Sequence, residues 1–296
     1  MARALELPAE CSILQTHPSL TFREGAYSFE IATRDGQAIY KVTDGDQMMS
    51  VPIGWALGQG GAGQTYIYER DGSYYESRVS FFAALDALDV TMGQQHITPR
   101  NIEEAAGRPL PAQEAQQCFA CHSTGAIVDG QLRTGTLIPG VRCEHCHAQA
   151  AEHLRAMQEG GRPVIPRKLG KMSTGAISAF CGQCHRTFDR VSMQGPHGPL
   201  NVRFQPYRLA ESKCWDESDA RISCIACHDP HKNIVQDDAA YDSKCLACHR
   251  SEARPCPVAK SDCVTCHMPK LDLAGSHAKF TDHRIRVVRA GEAYPD

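Results

Sequence analysis

Through the first 105 or so residues, apolar and polar positions alternate in short, aromatic-rich runs. Tyr27 to Thr33 and Gln37 to Thr43 flank Arg34-Asp35-Gly36, and Thr65 to Glu69 and Tyr74 to Val79 flank Asp71-Gly72. Asp-Gly supplies the left-handed residues that a tight hairpin turn requires, so these runs predict two β-hairpins. Between them, Gly54 to Gln64 holds more glycine than a strand interior or a helix tolerates and reads as a tight loop. It lacks the Gly-Lys-Ser/Thr ending of a phosphate-cradling loop. Residues 102 to 117 read as helix. Beyond them the periodicity breaks up, with Gly160-Gly161-Arg162-Pro163 and Gln194-Gly195-Pro196-His197-Gly198-Pro199 marking surface loops. The pattern predicts a β-rich region over 1–105 and a second region over 106–296 built from short helices and irregular chain.

Composition narrows this picture. Of 296 residues, 42% are hydrophobic and 22% charged, as in a soluble globular protein, and no apolar run reaches the roughly 20 residues of a spanning helix. No transmembrane segment is expected.

The chemistry lies in a five-residue pattern, Cys-x-x-Cys-His, found six times. In chain order it comprises Cys118, Cys121 and His122; Cys143, Cys146 and His147; Cys181, Cys184 and His185; Cys224, Cys227 and His228; Cys245, Cys248 and His249; and Cys263, Cys266 and His267. Two thiols at this spacing form thioethers with the haem vinyl groups, and the following His coordinates the iron from the proximal side. Zinc knuckles also use Cys-x-x-Cys, but they need four ligands from two half-sites and do not require an adjacent His in every unit. The six repeats use 12 of the 15 cysteines, which favours six covalently bound haem c groups. Their first cysteines are 25, 38, 43, 21 and 18 residues apart, close enough to pack the haems near one another.

Haem changes the charge as well. The formal charge of −3 becomes about −9 in the oxidised holoprotein once propionates and ferric centres are counted, which argues against nucleic acid as a partner. Haem attachment to this motif takes place outside the bacterial cytoplasmic membrane, so an exported, periplasmic or extracellular protein is expected. Met1 to Pro8 has neither the basic nor the apolar region of a signal peptide. The expectation is that the numbering starts after processing or that a preceding segment is missing.

A six-coordinate haem needs a second axial ligand. Of 14 histidines, six are proximal, leaving His17, His96, His145, His153, His197, His231, His277 and His283. The supply permits bis-histidine ligation throughout. His153, His231, His277 and His283 are the best-placed distal candidates, followed by His96, then His17 and His197. Asp229-Pro230 forces an extended step, so His231 should serve an adjacent iron rather than its own. His145, inside a Cys-x-x-Cys clamp, is badly placed. None of the eight Met residues stands out as a rival ligand. The spare cysteines are Cys11, Cys214 and Cys256, and in an exported protein a Cys214–Cys256 disulfide is expected.

Cys143-Glu144-His145-Cys146-His147 with His153, Cys227-His228-Asp229-Pro230-His231, and Cys266-His267-Met268-Pro269-Lys270 followed by Phe280-Thr281-Asp282-His283-Arg284-Ile285-Arg286 resemble the multihaem cytochromes related to the tetrahaem cytochrome c of nitrification. The resemblance covers essentially the second region. It implies a multihaem cytochrome c fold, in which short helices and irregular loops wrap around stacked haems, here preceded by a β-rich haem-free region. It also implies that a His shortly after one motif serves another haem, as His153 and His231 would. Members of this type often begin with a further motif, which leaves room for one more haem on a preceding segment, with His17 or His197 serving it or no haem.

The leading expectation is an electron carrier that relays electrons between redox partner proteins, other cytochromes among them. Two alternatives are a multihaem reductase of small nitrogen or sulfur compounds with a five-coordinate haem, and a self-assembling subunit of an extracellular cytochrome filament. The first has no Cys-x-x-Cys-Lys signature here.

Overall fold

The computed structural model describes residues 1–147, 149–162, 168–217, 221–249, 256–289 and 291–295. Asp35 and Gly36 both take positive φ, 52° and 75°, and Asp71 and Gly72 do the same at 51° and 72°. That is the backbone of a two-residue type I′ turn, whose twist matches the strands it joins. Both predicted hairpins form around it.

Among the described residues nine strands make one antiparallel sheet: β1 (Leu5–Glu6), β2 (Ser19–Glu24), β3 (Tyr27–Arg34), β4 (Gln37–Thr43), β5 (Met48–Leu57), β6 (Gly63–Arg70), β7 (Ser73–Phe82), β8 (Ala87–Val90) and β9 (Gly107–Pro109). Strands β2 to β8 pair in chain order, while β1 pairs with β5 and β9 with β7. The ends of the meander, β2 and β8, lie against each other, so the sheet curls into a nearly closed barrel. Period-two burial explains the curl: Ala38, Tyr40 and Val42 of β4 are buried while the residues between them are not, and Phe29, Ile31 and Tyr68 join them in the interior.

Two expectations need correction. Gly54 to Leu57 is not loop but the end of β5, because a register shift between Ile53 and Trp55 takes up Gly54 as a bulge. Only Gly58–Ala62 bridges to β6. Nor is 102–117 one helix. Asn101 caps a first helix by accepting from the Glu104 N–H at 2.9 Å, and that helix ends at Ala106. Gly107, at φ 144°, then turns the chain onto β7 as β9; a Cβ there would collide with the Glu76 carbonyl oxygen. Pro109 and Pro111 delay the next helix to Ala112.

Among the described residues the α-helices are α1 (Ser12–Thr16), α2 (Ile102–Ala106), α3 (Ala112–His122), α4 (Cys143–Cys146), α5 (Ala150–Gln158), α6 (Thr174–His185), α7 (Phe188–Gln194), α8 (Gln205–Ala210), α9 (Cys224–Cys227), α10 (Asp242–His249) and α11 (Cys263–His267). None among the described residues is long and apolar enough to cross a membrane.

The chain divides into two compact units, Met1–Pro166 with Ala274–Ala278, and Arg167–Leu273 with Lys279–Asp296. The first two Cys-x-x-Cys-His motifs therefore share a unit with the barrel, beyond the boundary expected near 105. Phe119, within the first motif, gives the reason. It is fully buried in an apolar cluster with Leu5, Ile67 and Leu110, and Trp55 and Tyr74 meet it edge-on at 5.0 and 5.6 Å.

Candidate haem sites

Each motif occupies the C-terminal end of a short helix: α3, α4, α6, α9, α10 and α11 in order. Residues i and i+3 of a helix share a face, so the two thiols of a motif lie on one side. The His is the last helical residue of α3, α6, α10 and α11 and the residue immediately after α4 and α9. Two thiols and an imidazole so grouped are the donor set that haem c takes.

The attachment cysteines are not equally enclosed. Cys118 and Cys121 of the first motif are both half-buried, whereas Cys143, Cys184, Cys227, Cys248 and Cys266 are exposed. Cys184 shows why its sequence role does not place it in an interior. The buried face of α6 is formed by Thr174, Ile177, Ser178 and Gly182, and Cys184 follows Gly182 by two residues, which turns it to the opposite side of the helix. Its partner Cys181 is half-buried, and His185 is exposed beside it. The protein chain alone therefore leaves Cys184 and His185 at the surface rather than in a closed pocket.

In the first unit, His122 Nδ1 donates to the Ala4 carbonyl at 2.8 Å. A proton held on Nδ1 leaves the Nε2 lone pair available and fixes the ring. Burial pushes the His122 pKa down, which keeps the imidazole neutral as coordination requires. His147 of the second motif is half-buried, as is His145 within the same clamp.

The second unit brings motifs three to six into a continuous run. Thr174, at the start of α6, donates to the Ile222 carbonyl just before α9 at 2.6 Å, and the Cys181 thiol hydrogen-bonds Cys224, which raises the pKa of Cys181 and lowers that of Cys224. His228 meets Tyr241, just ahead of α10, edge-on at 5.6 Å. Asp242 at the start of α10 accepts the N–H groups of Asp262 and Cys263 at 2.7 and 2.9 Å, which lowers its pKa and seats α11 beside it. The Cys245 and Cys263 thiols hydrogen-bond each other. His267 Nδ1 donates to the Arg286 carbonyl at 2.8 Å, the same arrangement as at His122. His249, by contrast, is exposed.

The distal candidates fare differently. His283 approaches His228 with ring centroids 6.1 Å apart; its Nδ1 donates to the Thr281 carbonyl at 3.0 Å, and burial drives its pKa down to about 4. His277 is also partly buried, but at φ 50° it turns Nε2 onto Asp89 Oδ2 at 2.8 Å and stacks edge-on against Phe82. Both ring nitrogens of His17 are engaged, Nδ1 with the Ile13 carbonyl and Nε2 with Asp86, each at 3.0 Å. His153 is half-buried on α5. His96, His197 and His231 are exposed, and the His231 N–H donates to Asp229 Oδ1 in a local turn.

Cys214 and Cys256, expected as a disulfide pair, are both exposed. Cys214 lies instead near Cys245 and Cys248 of the fifth motif. Cys11 is buried in the barrel, its Sγ donating to Gln64 Oε1 at 3.0 Å.

Residues 83–148, which hold the first two motifs, match the family model described as cytochrome c554 and c-prime. A curated relative, the multiheme cytochrome MtrA of Shewanella baltica (strain OS185), is 24% identical over 213 residues, 63% of this chain and 54% of the relative. These matches support a multihaem c-type cytochrome. Haem c is the cofactor they support, and electron transport the process. The chain spans about half the length of the curated relative it matches. No solved structure matches the chain.

The carbonyls of Ala4 and Arg286, which accept from the His122 and His267 rings, have no sequence signature, since every residue carries one. Arg208 and Asp282, buried beside His283, also escape a motif search because 74 residues separate them.

Proposed function

We propose that this chain transfers electrons through six covalently attached, mostly bis-histidine c-type haems, relaying them between redox partners outside the cytoplasm, other cytochromes among them. The observation that carries the reading is the run of contacts that joins motifs three, four, five and six without using a thiol: Thr174 to the Ile222 carbonyl, His228 to Tyr241, and Asp242 to the Cys263 N–H. Each haem supplies, when bound, a one-electron ferric/ferrous couple whose potential depends on axial ligand, burial and hydrogen bonding. The chain's part is to hold the attachment points side by side, to favour the neutral form of His122 and His228 by burying them, and to orient His122 and His267 through backbone carbonyls. At the third motif, Cys184 and His185 are accessible on the protein chain, where they would hold the haem.

His283 is the distal partner of His228 in this reading. The two rings, with centres 6.1 Å apart, would together hold the iron of the fourth haem. A neutral, buried His283 with its proton on Nδ1 offers Nε2 to a metal. The remaining haems draw on His153, His231, His96, His277, His197 and His17, with His17 and His277 first giving up their carboxylate partners.

The mass of the intact holoprotein should correspond to six attached haems, and electron paramagnetic resonance of the ferric protein should be dominated by low-spin signals. A major high-spin fraction that binds carbon monoxide on reduction would overturn the relay in favour of a catalytic haem.

A further inference from the structure

Arg208 on α8 and Asp282 in the C-terminal segment are both fully buried. They form a bidentate pair, Nε to Oδ1 at 2.9 Å and Nη2 to Oδ2 at 3.1 Å. The third nitrogen of Arg208, Nη1, donates to the Pro295 carbonyl at 3.0 Å and to Glu211 at 3.2 Å, and the guanidinium lies 4.6 Å from the centre of the Tyr294 ring. Asp282 also accepts from Arg286 Nη1 at 2.7 Å and from the Arg284 N–H at 3.0 Å. Ser212, just past α8, adds two backbone ties: its Oγ donates to the His283 carbonyl at 3.0 Å and accepts from the Ile285 N–H at 2.8 Å. The segment from Asp282 to Arg286 is thereby clamped to α8 along its length.

A buried ion pair is weak evidence for stability, because apolar residues of the same volume pack as well without the loss of hydration. What distinguishes this pair is what the clamped segment carries. Its first turn holds His283, which faces His228. Its far end holds Arg286, whose carbonyl receives His267 Nδ1 at 2.8 Å and whose N–H donates to the His267 carbonyl at 3.2 Å. One guanidinium therefore anchors a short stretch of chain that touches the imidazoles of the fourth and the sixth motif.

We propose that Arg208 is a positioning residue for two haems at once: through Asp282 it fixes His283 at the fourth haem and, through Arg286, His267 at the sixth, so that the two reduction potentials are set together. This rests on reading His283 and His267 as axial ligands. Charge next to a ligand also moves a haem potential. Removing the Arg208 cation leaves Asp282 less compensated and favours the ferric state, whereas neutralising Asp282 does the reverse.

The test is potentiometric titration of the holoprotein with paramagnetic resonance detection, on Arg208→Met, Asp282→Asn and Arg208→Lys. Arg208→Met should lower two of the six potentials and Asp282→Asn should raise the same two, with four unchanged. Arg208→Lys keeps the charge but loses the planar fork; its two potentials should stay nearer the wild type while the low-spin signals of the same two haems broaden. If all three variants lose thermal stability but leave every potential and signal in place, or shift all six alike, Arg208 is only structural and the proposal fails. Should Arg208→Met not fold, the other two variants decide alone: Asp282→Asn should raise the two potentials, and Arg208→Lys should broaden the signals of the same two haems with little change in potential. His283→Ala separates the two levels: a spectrum that stays wholly low-spin in that variant removes the ligand assignment itself.

Discussion

The imidazoles of His228 and His283 stand 6.1 Å apart, centre to centre, with their planes inclined by 40°. The two residues are 55 positions apart in the chain, and only folding of the second unit brings them together. Replacing His283 with Ala should convert one haem from low-spin to high-spin in the ferric state and open it to carbon monoxide after reduction. Added imidazole should restore the low-spin spectrum. Retention of six low-spin haems would assign the distal position at the fourth haem to another residue.

The three cysteines outside the motifs differ in environment. Cys256 is exposed, and the N–H groups of Ala259 and Val258 lower its pKa; Cys214 is exposed, with burial of its thiol raising the pKa; Cys11 is fully enclosed, also with a raised pKa. The thiolate is the reacting form. Treatment of the native holoprotein with iodoacetamide near neutral pH should label Cys256 first, Cys214 more slowly and Cys11 only on unfolding. Peptide mass spectrometry reads the order, and protection of both Cys214 and Cys256 until a reductant is added would restore the disulfide.

Phe119 is a variable position of the first motif in sequence terms and a core residue in structural terms. Phe119→Ala leaves Cys118, Cys121 and His122 in place, so haem should still attach. The first unit should lose about 3–5 kcal/mol, the usual range for a buried Phe truncated to Ala. Urea unfolding followed by circular dichroism measures the loss; a change below about 1 kcal/mol, on the order of a surface substitution, would mean that the aromatic cluster of Trp55, Tyr74 and Phe119 does not hold the motif to the barrel.

Arg108 bridges β9 to α3, with Nε on Glu76 at 2.7 Å and a two-pronged contact to Glu114 at 2.9 and 2.6 Å. The Arg108 hydrogen bonds hold the Glu114 carboxyl below its ordinary range. A carboxyl with a depressed folded pKa adds stability above its unfolded value, near about 4.3, and loses that contribution as pH falls through the folded value. Arg108→Met should therefore be less stable than wild type by on the order of 1 kcal/mol at about pH 7. The difference should shrink below about pH 4. A gap that stays constant down to about pH 3 would assign it to lost packing of the Arg108 stem instead.

The candidate haem sites were legible because haem c chemistry demands five adjacent residues, and the hairpins were legible because Asp35-Gly36 and Asp71-Gly72 place two left-handed residues in a row. Gly54 misled because glycine density marks a bulge as readily as a loop, and only the pairing of Ile53 and Trp55 with β6 tells them apart. The interruption at Gly107 was set by the approach of the Glu76 carbonyl, a contact from another strand. A motif also says nothing of enclosure: Cys121 and Cys184 hold the same place in their repeats, and α3 and α6 bury the same repeat positions (Ala115 and Phe119, Ser178 and Gly182), yet the first is half-buried and the second exposed. Ligand assignment was the least legible part. Counting histidines established supply, but His17 and His277 bind Asp86 and Asp89. His283 owes its position to Arg208, Ser212 and the chain fold rather than to its neighbours in sequence.

The hydrogen bond from His122 to Ala4 spans 118 positions, and the strands β1 to β9 all lie between its ends. Thioether formation needs only the five residues around Cys118, which can react on an extended chain. Orientation of the His122 ring has to wait until the barrel has closed and brought the first residues of the chain alongside α3. In the proposed reading, attachment at Cys118 and Cys121 is thus a local requirement and orientation of His122 a global one, which depends on the barrel that lies between Ala4 and α3.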